Sequence, residues 1–135
     1  VIPTLSADTA EHYPWGEACD GWHLLRDPGL SVLEEHMPPG AMEQRHRHSR
    51  ARHFFYVLAG EVMLQVDGEQ HVLKVGQGLH VTPGSTHQMH NLSDEQARFL
   101  VISTPHGKAE LTTTAGAPVA TAAVVAPGAA PMEAD

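Results

Sequence analysis

With 135 residues the chain has room for one domain, and a second catalytic domain is not expected within it. Sixteen acidic residues against eight Lys and Arg leave a formal charge of −8 with histidine neutral, which disfavours nucleic acid and anionic membrane as partners. A single cysteine, Cys19, excludes an intramolecular disulfide, so stability must come from packing or from a bound metal.

Residues 1–29 read as a loop-rich cover segment, punctuated by Pro14-Trp15-Gly16, Asp20-Gly21 and Asp27-Pro28-Gly29, with Trp22 to Leu25 as a short cover or edge strand. Leu30–Met37 has strand length and β-branched and apolar content, and Pro38-Pro39-Gly40 ends it. His53–Leu58 follows as an aromatic and apolar strand. Glu61–Val66 and Glu69–Val75 alternate, joined by Asp67-Gly68, a pair suited to a two-residue hairpin turn. Leu79–Thr82, a turn at Pro83-Gly84, His87–Asn91 and Phe99–Ser103 complete seven or eight short strands with almost no amphipathic helix. This succession predicts an antiparallel sandwich or barrel over residues 30–104. Residues 105–135 read as an Ala-, Pro- and Thr-rich flexible tail, and from about residue 109 onward they offer no periodic apolar face and are expected to be dispensable. The uncharged stretch 111–132 is too weakly hydrophobic, and too broken by Pro118, Pro127 and Pro131, for a membrane span. No Lys or Arg precedes Arg26 and no apolar run opens the chain, so no secretory signal is read and a cytoplasmic location is expected.

The anomalous number is eleven histidines. His46 and His48 are two apart, and strand alternation puts both imidazoles on one face, roughly 7 Å apart at the backbone. Composition alone makes about one such pair expected by chance, so the context decides. Gly40 lies six residues before His46, His53 five after His48 and Gly60 seven after His53; fifteen residues then intervene before Gly76, followed by Thr82, Gly84, His87 and Asn91. These residues resemble the two signature motifs of the cupin superfamily, Gly-x5-His-x-His-x3–4-Glu-x6-Gly and Gly-x5-Pro-x-Gly-x2-His-x3-Asn. There are two departures. His53 stands where the motif has Glu, and Thr82 where it has Pro, with Pro83 one place later.

The resemblance covers Gly40 to Asn91 directly and implies an all-β fold, the antiparallel double-stranded β-helix or jelly-roll barrel of a small single-domain cupin. By position it implies that His46, His48, His53 and His87 converge on one divalent transition metal, with Mn, Fe, Ni and Zn all open. Imidazole suits these ions, and four ligands in a six-coordinate shell leave two adjacent positions for water, O₂ or a chelating substrate. With His in place of Glu the centre keeps a formal +2, which favours an anionic ligand such as a carboxylate or enolate. Alternatively, His53 is a strand histidine bonded to backbone and the other three hold the metal. The implied activity is that of a metal-dependent oxygenase or related oxidoreductase on a small anionic or enolisable molecule. A non-catalytic metal- or metabolite-binding sensor and a cupin isomerase or lyase are the alternatives, and no catalytic residue is assigned.

Alternation also places the neighbours. Phe55 and Val57 continue the face of His53, and Met89 and Asn91 that of His87, which makes these four candidate pocket walls. Arg45 and Arg47 then face away as solvated or ion-paired cations, as does His90; His12, His71, His80 and His106 read as surface residues. Phe54, Tyr56 and Leu58 form an apolar stripe on the opposite face, a natural surface for a homodimer. Either Glu35 points inward with Leu33 and Met37, or Glu34 and His36 do so with Val32; the sequence leaves this open. A carboxylate buried there needs a proton or a partner.

Overall fold

Strand-forming segments of alternating polarity become eleven strands, and no helix, in the computed structural model, which describes residues 1–16, 18–105 and 111–113. They are β1 (Glu11–Trp15), β2 (Cys19–Asp27), β3 (Leu30–Met37), β4 (His46–His48), β5 (Arg52–Ala59), β6 (Glu61–Val66), β7 (Glu69–Lys74), β8 (Gly78–Val81), β9 (His87–His90), β10 (Ala97–Thr104) and β11 (Leu111–Thr113). They form a six-stranded sheet, β1-β2-β3-β10-β5-β8, and a five-stranded sheet, β11-β4-β9-β6-β7, with antiparallel pairing throughout. One apolar core joins them: Leu33, Phe55, Val57, Val81, Phe99 and Val101 from the first sheet meet Val62, Leu64, Leu73 and Met89 from the second. This is the all-β jelly-roll architecture expected.

Local chemistry explains the turns. Asp67 (φ 48°) and Gly68 (φ 88°) both take left-handed backbone, as a two-residue turn matching the strand twist requires. The aspartate also accepts a hydrogen bond from Thr86 N at 2.9 Å, tying the β6–β7 hairpin to the start of β9.

Within the segment 1–29, β1 and β2 form a hairpin that pairs with β3 and so extends the six-stranded sheet at its edge. The turn signals at Gly16 and at Asp27-Pro28-Gly29 are those of hairpins, and Pro14 is tolerated because β1 is an edge strand. Trp15 and Cys19 bury themselves in the core, giving the hairpin an apolar face to pack. Of the expected tail, Pro105 and one short strand are described. Leu111–Thr113 pair with β4, a ladder that backbone groups make whatever the composition; residues 106–110 and 114–135 of that tail lie outside the described residues. Among the described residues no helix is long and apolar enough to cross a membrane.

Candidate metal centre

The site begins with a three-residue strand. In β4 the order His-Arg-His buries His46 (3% exposed) and His48 (2%) and leaves Arg47 outside, as a period of two dictates. β9 brings His87 directly opposite His46. The Pro83-Gly84 turn reaches back to the same place: Gly84, at φ 84°, donates its N–H to the carbonyl of His48 at 2.6 Å. Moving proline from 82 to 83 therefore keeps the turn.

His46, His48 and His87 each offer a ring nitrogen, and these lie within 4.8 Å of one another. His53, on β5 of the other sheet, is outside that set but next to it, its ring centroid 4.1 Å from that of His48 and 5.8 Å from that of His87. All four rings are buried. Burial pulls His46 down to about 4 and His53 to about 3, from an ordinary 6.5, and holds His48 and His87 well below it; neighbouring imidazoles add to the effect at His48, His53 and His87, while the Gln44 carbonyl opposes it at His46. The cluster is therefore neutral at neutral pH, with lone pairs rather than protons to offer.

Hydrogen bonds decide which nitrogen carries the lone pair. His46 Nδ1–H donates to the carbonyl of Gln44 at 2.6 Å and His87 Nδ1–H to that of Ser85 at 3.2 Å, since a carbonyl can only accept. Nε2 of both rings is left as the donor atom. His53 Nδ1 meets the hydroxyl of Ser103 at 2.6 Å. Neutral imidazoles, close together and oriented through the far nitrogen, fit a divalent transition metal, which binds such nitrogens at about 2.0–2.1 Å for zinc.

Phe55 packs beside the cluster, 5.8 Å from His87 and 6.1 Å from His53 between ring centroids. Val57 and Met89 are buried farther along the same strands. Asn91 is engaged elsewhere: its amide donates to the carbonyls of Met37 and Glu95, and its oxygen accepts from Ser93. That bonding makes it a clasp for the 91–95 loop in place of the pocket wall expected. Arg45 and Arg47 are exposed, His12, His36 and His71 pair with Asp20, Glu34 and Glu69, and His106 lies outside the described residues.

The open choice on β3 is resolved in favour of Glu35, which is 1% exposed and inward with Leu33 and Met37, while Glu34 pairs with His36 and Arg98. Burial pushes the Glu35 carboxyl up to about 8 against the opposing effect of Tyr13, whose hydroxyl lies 2.7 Å from it. Three buried polar residues were not singled out by sequence reasoning. Ser31 and Ser103 were detectable as hydroxyls on otherwise apolar alternating faces, Ser31-Leu33 and Phe99-Val101-Ser103. Glu43, in a loop, accepts the N–H of Met89 at 2.9 Å and left no periodic signal.

The cupin domain profile matches residues 33–103. The polyketide synthase CurC of Streptomyces cyaneus is 33% identical over 77 residues, 57% of this chain and 47% of that protein. Protein SchB of Streptomyces halstedii is 34% identical over 72 residues, 53% and 49% of the two chains. The chain thus spans about half the length of these relatives. Among solved structures, KdgF from Halomonas superposes with a TM-score of 0.71 at 16% identity, covering 78% of this chain and 94% of that one. A double-stranded β-helix protein from Klebsiella pneumoniae gives 0.68 at 25%, covering 80% and 93%. Fold, motif positions and profile agree, and the chain belongs to the cupin family.

Proposed function

We propose that the chain is a metal-binding cupin acting on a small anionic or enolisable substrate, as an oxygenase or related oxidoreductase with O₂ as co-substrate. The observation that carries this reading is the buried, neutral set of His46, His48 and His87, within 4.8 Å of one another. His53 serves as the fourth ligand. A divalent ion held there supplies Lewis-acid polarisation of a bound oxygen. Four uncharged imidazoles leave the positive charge of the site uncompensated, which favours a carboxylate or enolate, and Phe55 excludes water from one side. The relative named as a polyketide synthase supports the enolisable class, because alternating carbonyls enolise readily.

Elemental analysis of the native protein should give one Mn, Fe, Ni or Zn per chain, and absence of stoichiometric metal would remove the reading. Oxygen uptake is then measured with carboxylates, diketones and catechols. Zinc, which has no redox chemistry, would redirect the assignment to an isomerase or lyase; bound redox metal without turnover of any of them would favour a metabolite sensor.

A homodimer through the outer face of the six-stranded sheet completes the proposal. Phe54 and Tyr56 are 39% and 36% exposed and stack at 6.4 Å, and the half-buried Ile102, Val32 and Leu100 lie in register on the same face. Sedimentation at micromolar concentration should show a dimer that Phe54→Glu dissociates; a monomeric unsubstituted chain removes this claim.

A further inference from the structure

We infer that Ser103 is the positioning residue that allows a histidine, in place of the motif's glutamate, to serve at position 53; the inference rests on the metal-binding reading above. The four rings are not held alike. His46 and His87 each bond a carbonyl two residues earlier, those of Gln44 and Ser85, so their orientation is set locally, by the loop that leads into each strand. His53 has its Nδ1 held by a side chain fifty positions away, the Ser103 hydroxyl, which β10 places directly across the ladder. A serine hydroxyl can accept Nδ1–H, and in that tautomer Nε2 carries the lone pair, on a ring whose centroid lies 4.1 Å from that of His48 and 5.8 Å from that of His87.

Ser103 is also out of pattern on its strand. Its face of β10 reads Phe99, Val101, Ser103, all buried, with Ser103 fully so. A hydroxyl on an apolar face costs stability unless it is bonded, and the 2.6 Å contact to His53 supplies a bond. A glutamate at 53 would bring its own carboxylate oxygens and no ring nitrogen in need of a partner. The serine at 103 therefore serves the metal site through His53.

That dependence is testable as a double-substitution cycle in the full chain, read as Zn(II) affinity by chelator competition, with the Co(II)-substituted absorption spectrum as a second readout. Ser103→Ala should weaken Zn(II) binding about 10- to 100-fold, the usual cost of losing such a partner, and should change the Co(II) spectrum. Ser103→Thr, which keeps the hydroxyl, should restore most of both. In a His53→Glu background Ser103→Ala should change affinity less than about threefold, because nothing at 53 then uses the hydroxyl. Equal losses in both backgrounds would mean a general packing defect and overturn the inference, as would no loss in the unsubstituted background. Melting curves of the metal-free variants identify any that are unfolded, and Ser103→Thr against Ser103→Ala then decides. An unsubstituted chain that binds no Zn(II) would overturn the metal reading itself.

Discussion

At one level of the barrel His46, His48, His53 and His87 are buried together; at another, Glu35 is buried with Tyr13 across from it. The two levels are four residues apart along β3, since Ser31 is level with Ser103 and through it with His53, which is roughly 13 Å of strand. Burial is the leading cause of every shift at both levels, yet the outcomes differ in kind. A histidine becomes neutral by losing a proton and gains a metal-binding lone pair. A glutamate becomes neutral by keeping one, and its carboxyl is matched by a single hydroxyl. The first level thus presents lone pairs that could hold an ion, and the second is closed on a retained proton. Closure depends on Gly21, because a Cβ there would stand 2.2 Å from the Tyr13 ring, which crosses Gly21 on its way to Glu35.

The largest expected effect tests the open level. His48→Ala or His87→Ala should abolish stoichiometric metal, since either removes a donor from a set of three mutually close nitrogens. Unchanged metal content in both variants would break the comparison at its root.

Next comes pH, where the two levels should pull in opposite directions in metal-free protein. His46 (about 4) and His53 (about 3) lie below the 6.5 of an unfolded histidine. The unfolded chain therefore binds more protons, and this contribution is complete above about pH 6.5 and lost as pH falls through the folded values. Glu35 (about 8) lies above the 4.5 of an unfolded glutamate, so its contribution is complete below about pH 4.5 and lost as pH rises through about 8. Urea unfolding at pH 4, 6 and 9 should trace a dome. Glu35→Gln, uncharged at every pH, should flatten only its alkaline side, by on the order of a few kcal/mol. A variant with the same alkaline fall as the parent would show that Glu35 does not keep its proton.

Gly21→Ala gives a smaller effect at the closed level. The new methyl must displace the Tyr13 ring, at a cost of about 1–3 kcal/mol, and Tyr13→Phe, which removes only the hydroxyl, should cost about 1 kcal/mol. Thermal melts rank the two. If Gly21→Ala is no worse than Tyr13→Phe, the ring has somewhere else to go.

Legibility in the sequence follows the range of the interaction. Asp67-Gly68 demanded a particular turn, and β3 and β6 have the bounds that their residues predict, because local backbone chemistry decides them. The facing of His46 and His48 needed only a period of two. Glu35 needed more: the run Glu34-Glu35-His36 carries polar residues on both faces, so alternation alone has no preferred register, and contacts with β2 and β10 choose it. The β1–β2 hairpin was hidden because Pro14, Gly16 and Gly21 resemble loop residues until an edge position and a tyrosine crossing the glycine explain them. Ser103 stands out as a hydroxyl on an apolar face, but its pairing with His53 spans fifty residues, a distance at which no local pattern names the partner.

The smallest expected effect concerns how β4 itself is held. It pairs with β9 at one position, His46 opposite His87, but with β11 at three, Leu111, Thr112 and Thr113 opposite His48, Arg47 and His46. Ending the chain at Lys108 removes β11 and makes β4 an edge strand. The six-stranded sheet and the β4-β9-β6-β7 pairings are left in place, so the melting temperature of the metal-free barrel should change little. Affinity for metal should fall, because two ligands stand on a strand that has lost most of its ladder. Losing about one net backbone hydrogen bond's worth of order, roughly 1 kcal/mol, corresponds to about a fivefold rise in Kd. Thr112→Pro and Thr113→Pro in the full chain separate pairing from chain length. Bonds to one neighbour alternate along an antiparallel strand, so at least one of these prolines should reproduce the loss. Truncation without change in Kd would mean that the Gly84–His48 bond and the His46–His87 pair alone hold the ligands in place.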